Sequence, residues 1–164
     1  MDEKKTGIEK TGIKKTAVIV INTKNHPEHR ESAALLYKAL EGRMRIDTVD
    51  MAGAGMLHEK YFTIRSCNPL FVITLDMAGF ELRTENDTFS YNQIPCRMMH
   101  LLFGELQEYE TLLTGKFNFS MFFYGRRQLC EKIRACYPEI ENVEPFWGAG
   151  TALERFLQQG KIQI

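Results

Sequence analysis

Two stretches of this sequence, Ala17-Val-Ile-Val-Ile21 and Leu70-Phe-Val-Ile-Thr-Leu75, stay apolar and rich in β-branched residues along their length. A strand with one wet face alternates polar and apolar residues. A strand that does not alternate must be covered on both faces, the condition of a parallel sheet between two helical layers. After the first stretch, Asn22-Thr-Lys-Asn-His26 is a polar loop in which Asn25 or His26 caps a helix with Pro27 at its first position. Ala33, Leu36, Tyr37 and Leu40 then share one helical stripe, and Gly42 ends it. Arg45 to Met51 alternates as a second strand. Gly53 and Gly55 make the next turn. Met56 to Cys67 predicts a second helix with Leu57, Tyr61 and Ile64 on one side, stopped by Asn68-Pro69. The order to Leu75 is βαβαβ with right-handed crossovers, half of a doubly wound fold.

After Leu75 the rhythm changes. Asp76-Met-Ala-Gly79-Phe80 leaves the strand through a glycine turn. Glu81 to Thr84 and Thr88 to Tyr91 flank Glu85-Asn-Asp87 as a short β-hairpin or excursion. Cys96 to Phe103 reads as a fourth strand, with a helix as its rival because Met and Leu favour helices. Leu106 to Leu113 is a short helix and Phe117 to Tyr124 a fifth strand. Arg126 to Tyr137 is a helix with Leu129, Ile133 and Cys136 in line. Asn142 to Phe146 is a short last strand, and Thr151 caps a final helix carrying Leu153, Phe156 and Leu157. The expected fold is α/β: a three-layer Rossmann-like or flavodoxin-like sandwich with a mostly parallel five- or six-stranded sheet, in one domain over 17–164. Residues 1–16 carry only Ile8 and Ile13 as strongly apolar side chains and read as a flexible, lysine-rich leader.

Composition narrows the function classes. Lys plus Arg number 21 and Asp plus Glu 21, so the chain lacks the basic excess of a general nucleic-acid or membrane-surface binder. No apolar run is long enough to span a bilayer, and the charged N-terminus lacks a signal-peptide core. Cys67, Cys96, Cys130 and Cys136 form no C-x-x-C pair and read as reduced core thiols. Together these features imply a cytoplasmic protein.

The phrases PLFVITLDMAGFEL, NQIPCRMMHLLF and FNFSMFFYGRRQLCEKIRACYPEIENVEPFWGAG, in this order, resemble the N-terminal Rossmann-like domain of GT-B glycosyltransferases, especially the spore-maturation, CgeB-like kind. The similarity spans roughly Ala17 to Gly150. It implies the acceptor-side half of a transferase, in a chain that stops at Ile164 without the donor-binding domain. The expected function is then a stand-alone binding or interaction module without full transferase activity. Its ligand would be a sugar or a phosphate. Phe117, Phe119, Phe122, Phe123, Tyr124, Phe146 and Trp147 make the C-terminal half aromatic; most read as core, and a surplus would mark a face for a partner domain or a second copy.

Ligands of open parallel sheets sit at the carboxyl ends of the strands. Asp76 is the leading candidate there, an acid leaving a buried strand ahead of Gly79, able to orient a hydroxyl or act as a base. His100 is its candidate catalytic partner if the two strands are neighbours. Thr23, Lys24 and His26 line the first βα loop, and with His29 just beyond it they could meet an anion at the helix N-terminus. That loop has no glycine, against the usual modes of NAD, FAD, FMN and ATP, and no cofactor is implied. Arg126 and Arg127 open a helix and suit a phosphate or carboxylate, which gives the alternative of a dimeric regulatory module binding a small anion. No metal-ligand spacing stands out, so no metal is assigned.

Overall fold

In the computed structural model, which describes residues 15–84, 90–117 and 120–164, β1 (Thr16–Ile21) is buried from end to end. It is one of the inner strands of a six-stranded sheet, all of it parallel. The others are β2 (Arg45–Asp50), β3 (Phe71–Leu75), β4 (Arg97–Leu102), β5 (Met121–Gly125) and β6 (Val143–Pro145). The order is β2-β1-β3-β4-β5-β6, set by parallel registers such as Val18↔Val72 and Thr74↔His100. The α/β sandwich expected from the apolar runs is therefore present, with the flavodoxin-like strand order.

Strand residues divide by parity between two cores, because successive side chains point to opposite faces. Ala17, Ile19, Phe71, Ile73 and Met99 meet α1 (His29–Leu40) and α5 (Ala149–Gln159) through Leu36, Leu40, Leu153 and Phe156. Val18, Val20, Val72, Met98 and Phe123 meet the opposite layer. That layer comprises α2 (Leu57–Ser66), α3 (Leu106–Leu113) and α4 (Arg127–Cys136), through Ile64, Tyr109, Leu129 and Ile133. Each such aliphatic side chain contributes about 1.5–3 kcal/mol on full burial, so both faces of β1 and β3 are held by helices and neither tolerates a polar residue without a partner.

Several sequence expectations shift. Thr16, assigned to the leader, is the first residue of β1; residues 1–14 lie outside the described ones. The helix foreseen at Pro27 starts at His29, because His26 to Glu28 form a turn in which His26 N donates to Asn22 O at 3.1 Å and His29 N to His26 O at 3.1 Å. Tyr37 and Leu57 are exposed rather than packed. The place expected of Leu57 on α2 goes to Lys60, 7% exposed, whose ammonium donates to Met51 O at 2.8 Å and to Gly53 O. The strand reading of Cys96 to Phe103 prevails over its helical rival because the segment pairs on both sides, with β3 and β5. In the excursion after β3, Ser90–Gln93 is a single 3-10 turn and not a strand; residues 85–89 lie outside the described ones. The last helix begins at Ala149, so Gly148 and not Thr151 precedes it.

The edge strand β6 is short. Phe123 N donates to Asn142 O at 2.7 Å and Phe146 N to Gly125 O at 3.1 Å, which ties it to β5. The Arg134 guanidinium from α4 donates to Val143 O. Of the C-terminal aromatic residues, Phe122, Phe123 and Tyr124 are core, as expected of most of them, and Phe117 and Phe146 are partly buried. Phe119 lies outside the described residues, and Trp147 stands 87% exposed. Cys130 is buried, Cys67 and Cys96 are half-buried, and Cys136 is exposed; all four thiols are free. Among the described residues no helix is long and apolar enough to cross a membrane.

Candidate functional site

From β1 the chain passes outward to β2, then returns to the other side of β1 to form β3. Loops leaving β1 and β3 therefore diverge, and a crevice opens between their carboxyl ends. His29, the first residue of α1, enters it from β1. Asp76, the residue after β3, enters it from the other side. Their contact is direct: His29 Nε2 lies 2.7 Å from Asp76 Oδ2. On the far side of the ring Asn22 N donates to Nδ1 at 3.5 Å, so Nε2 carries the hydrogen given to the carboxylate.

The other carboxylate oxygen, Oδ1, gathers the end of β4. It accepts Phe103 N at 2.7 Å, Gly104 N at 3.3 Å and the Tyr109 hydroxyl from α3. Gly104 N also donates to the Tyr109 oxygen at 2.7 Å. Burial pushes the Asp76 carboxyl up, but the hydrogen bonds from His29, Tyr109 and Phe103 N outweigh it and hold Asp76 below the ordinary aspartate range. Burial and the adjacent carboxylate push the Tyr109 phenol up, so it remains a donor. Asp76 is thus an ionised group with an exposure of only 5%, fixed by donors from three parts of the chain.

The backbone at this point is held in an unfavourable conformation. Asp76 and Met77 have φ of 49° and 54°, and Gly79 has φ of 83°. Consecutive left-handed residues with side chains cost on the order of 1–3 kcal/mol each and persist only where the surroundings impose them. A Cβ on Gly79 would come within 2.8 Å of the Tyr91 hydroxyl, so glycine is needed there for space as well as for φ.

His26 completes the cluster. Its ring stacks on His29 at 4.7 Å between centroids, and its Nδ1 lies 3.2 Å from Glu28 Oε1 and 3.9 Å from Asp76 Oδ2. Unlike His29, it is 30% exposed and faces the crevice. The cavity here is about 220 Å³, with Glu81, Glu108, Asn22 and Asn25 completing its polar walls. Hollows of about 450 and 760 Å³ lie at the amino end of β5 and on the outer face of α5. Neither carries a histidine, so the smaller crevice is the candidate site.

Of the residues singled out in the sequence, Asp76, His26 and Gly79 belong to this arrangement. His100 does not join it. Parallel pairing with β3 places it opposite Thr74, whose Oγ1 lies 2.7 Å from His100 Nδ1. Phe123 stacks on the ring at 4.9 Å and Phe80 meets it edge-on at 5.0 Å. Its Nε2 has no partner among the described residues, and burial pushes its pKa down to about 3. Asp76 thus takes His29 as its imidazole partner, and His100 is a neutral core residue.

Thr23 is spent on β2: its N–H donates to Asp50 Oδ1 at 3.1 Å and its hydroxyl to Asp50 Oδ2. Ala52 N adds a bond of 2.9 Å to the same carboxylate. Lys24 is exposed. Arg126 pairs with Glu105 at 2.6 Å on the surface, and Arg127 starts α4, exposed. These cations do not converge on one point.

Sequence reasoning placed His29 at the first helix entrance as an anion contact and did not pair it with Asp76; it missed Tyr109. The spacing His26-x-x-His29 was a usable signal, since residues three apart at a helix entrance lie side by side. Tyr109 gave none, because it reads as one more apolar position of α3. Comparison with known proteins finds no match: no family model fits the sequence, and no curated protein or solved structure is significantly similar.

Proposed function

We propose that this chain is a small-ligand-binding α/β module that works through the crevice between the ends of β1 and β3. The observation that carries this is the Asp76 carboxylate, held ionised by donors from α1, α3 and the end of β4 at the point where the strand order reverses. So many bonds fix an acceptor in place before any ligand arrives, and that preorganisation lowers the cost of binding. Glu81 and Glu108 add carboxylates to the walls. Such a lining repels phosphates and favours hydroxyl-rich or cationic molecules. The likeness to the acceptor-side domain of GT-B glycosyltransferases supports a neutral sugar among these, and a role as an interaction module in glycan metabolism. The free thiols fit a reducing, cytoplasmic setting.

A thermal-shift panel of neutral sugars, sugar phosphates and small amines, with hits confirmed by saturation-transfer NMR, tests this directly. Neutral or cationic members should stabilise the wild-type chain and lose their effect in His26→Ala and Glu108→Gln. Hits confined to anions, or indifferent to both substitutions, would overturn the assignment.

A further inference from the structure

The crevice holds a donor set beyond what binding a polar organic molecule requires. His26 Nδ1, His29 Nε2 and Asp76 Oδ2 all lie within 4.8 Å of one another. The pair His29–Asp76 is at 2.7 Å and His26–Asp76 at 3.9 Å. Two imidazoles and one carboxylate are the ligands borderline first-row cations prefer. With metal–donor bonds of about 2.1 Å, a tetrahedral centre needs donors roughly 3.4 Å apart. These two separations bracket that value, and His26 belongs to the turn before α1, where its partly exposed ring has room to adjust.

We propose that His26, His29 and Asp76 bind a divalent first-row cation, zinc being the reference case, with the remaining coordination position open to the crevice. The surroundings suit the role. Asp76 Oδ1 is fully engaged by Phe103 N, Gly104 N and Tyr109, which aims Oδ2 at the two rings. Metal sites owe much of their affinity to such outer bonds. Glu28, 3.2 Å from His26 Nδ1, is the nearest additional oxygen donor. For Nε2 to bind the ion, the ring hydrogen moves from Nε2 to Nδ1, so His29 gives up its bond to Asp76 and the long 3.5 Å contact from Asn22 N as the ion enters. The open side faces Glu81 and Glu108, where a bound water or a ligand hydroxyl would be polarised.

The inference rests on the crevice being the binding site, and it is tested on the full chain stripped with a chelator. Calorimetric titration with zinc chloride should give one equivalent, and cobalt(II) should develop visible d–d bands. His26→Ala, at a partly exposed position that leaves the core intact, should weaken zinc by about tenfold or more. His58→Ala and Cys136→Ser, a histidine and the exposed thiol outside the cluster, should leave it unchanged. Absence of saturable binding, equal affinity in His26→Ala, or loss in Cys136→Ser would each overturn the metal site. The sugar and amine panel, repeated in chelator, separates the two proposals. Hits that persist there without zinc binding remove the metal and keep the crevice. Zinc binding without hits does the reverse.

Discussion

His29 and His100 are both wholly buried, yet they live in opposite chemical worlds. His29 has both nitrogens engaged, one on Asp76 and one facing Asn22 N. His100 has one nitrogen on Thr74 and the other among Phe80 and Phe123 with no partner among the described residues. The difference is one of position along a strand. A residue inside β4 is sealed by its neighbours on both sides, whereas a residue just past a strand end meets the ends of other strands. Burial alone therefore does not bring a histidine to the crevice; burial at the sheet's carboxyl rim does.

The strongest test of that contrast is to delete the acceptor at the rim. Asp76→Ala would leave His29, Tyr109 and two backbone N–H groups facing an empty space. We expect a loss of roughly 3–5 kcal/mol, since several buried donors to a charged acceptor are left unsatisfied at about 1–3 kcal/mol each, read from urea unfolding. His100→Phe fills an aromatic box and removes an orphan nitrogen but leaves the buried Thr74 hydroxyl without its partner, so it should cost about 1–2 kcal/mol, less than Asp76→Ala. Equal losses in the two variants would erase the distinction.

Acid titration separates the two regions in a second way, through His100 and Asp76. In the unfolded chain a histidine takes up its proton near pH 6.5, about its reference value. Folded His100 resists protonation until about pH 3. Between those values the unfolded state binds the extra proton, so stability falls as pH falls, by up to about 1.4 kcal/mol per unit. Asp76 acts lower: its pKa is depressed by folding, so its contribution is complete above the unfolded aspartate value and is lost only below it. Urea midpoints from pH 7 to 4 should therefore slope in wild type and flatten in His100→Phe. A slope unchanged by that substitution would place its origin elsewhere.

Smaller effects refine the rim itself. Tyr109→Phe removes one donor to a charged acceptor and should cost about 1.5–3 kcal/mol, with the Phe103 and Gly104 amides keeping the carboxylate in place. Gly79→Ala acts on the loop that joins Asp76 to Phe80, the wall of the His100 box. Its positive φ and the nearby Tyr91 hydroxyl predict a loss of about 1–2 kcal/mol, read from the thermal midpoint. Were it neutral, the two regions would be less tightly linked than the backbone suggests.

The layers of the fold were legible because β1 and β3 carry it in composition alone: no polar residue interrupts Ala17 to Ile21. Helix entrances were less so. Pro27 suggested a helix start, but the turn closed by Asn22 O delays it to His29, and a local bond of that kind leaves no periodic trace. Asp76 was legible as a polar residue ending an apolar strand. Its partners were not, since His29 is 47 positions away and Tyr109 33, and only the strand order brings them together. His100 attracted the pairing because it was conspicuous in an apolar run, and that same run is what buried it.

The Arg134 guanidinium on Val143 O has a consequence for how copies of this chain can meet. Asn142 O and Phe146 N turn inward to β5, so Val143 and Pro145 present the outward side of the edge. Pro145 has no N–H to offer, and the carbonyl of Val143 is already occupied. A foreign strand arriving there meets a ladder interrupted at two successive positions, the Val143 carbonyl and the Pro145 nitrogen. At the opposite border Arg45 and Asp47 pair at 3.2 Å and put charge on β2. Both borders thus disfavour association through a shared sheet, and exposed Trp147 is one place to look for association through side chains.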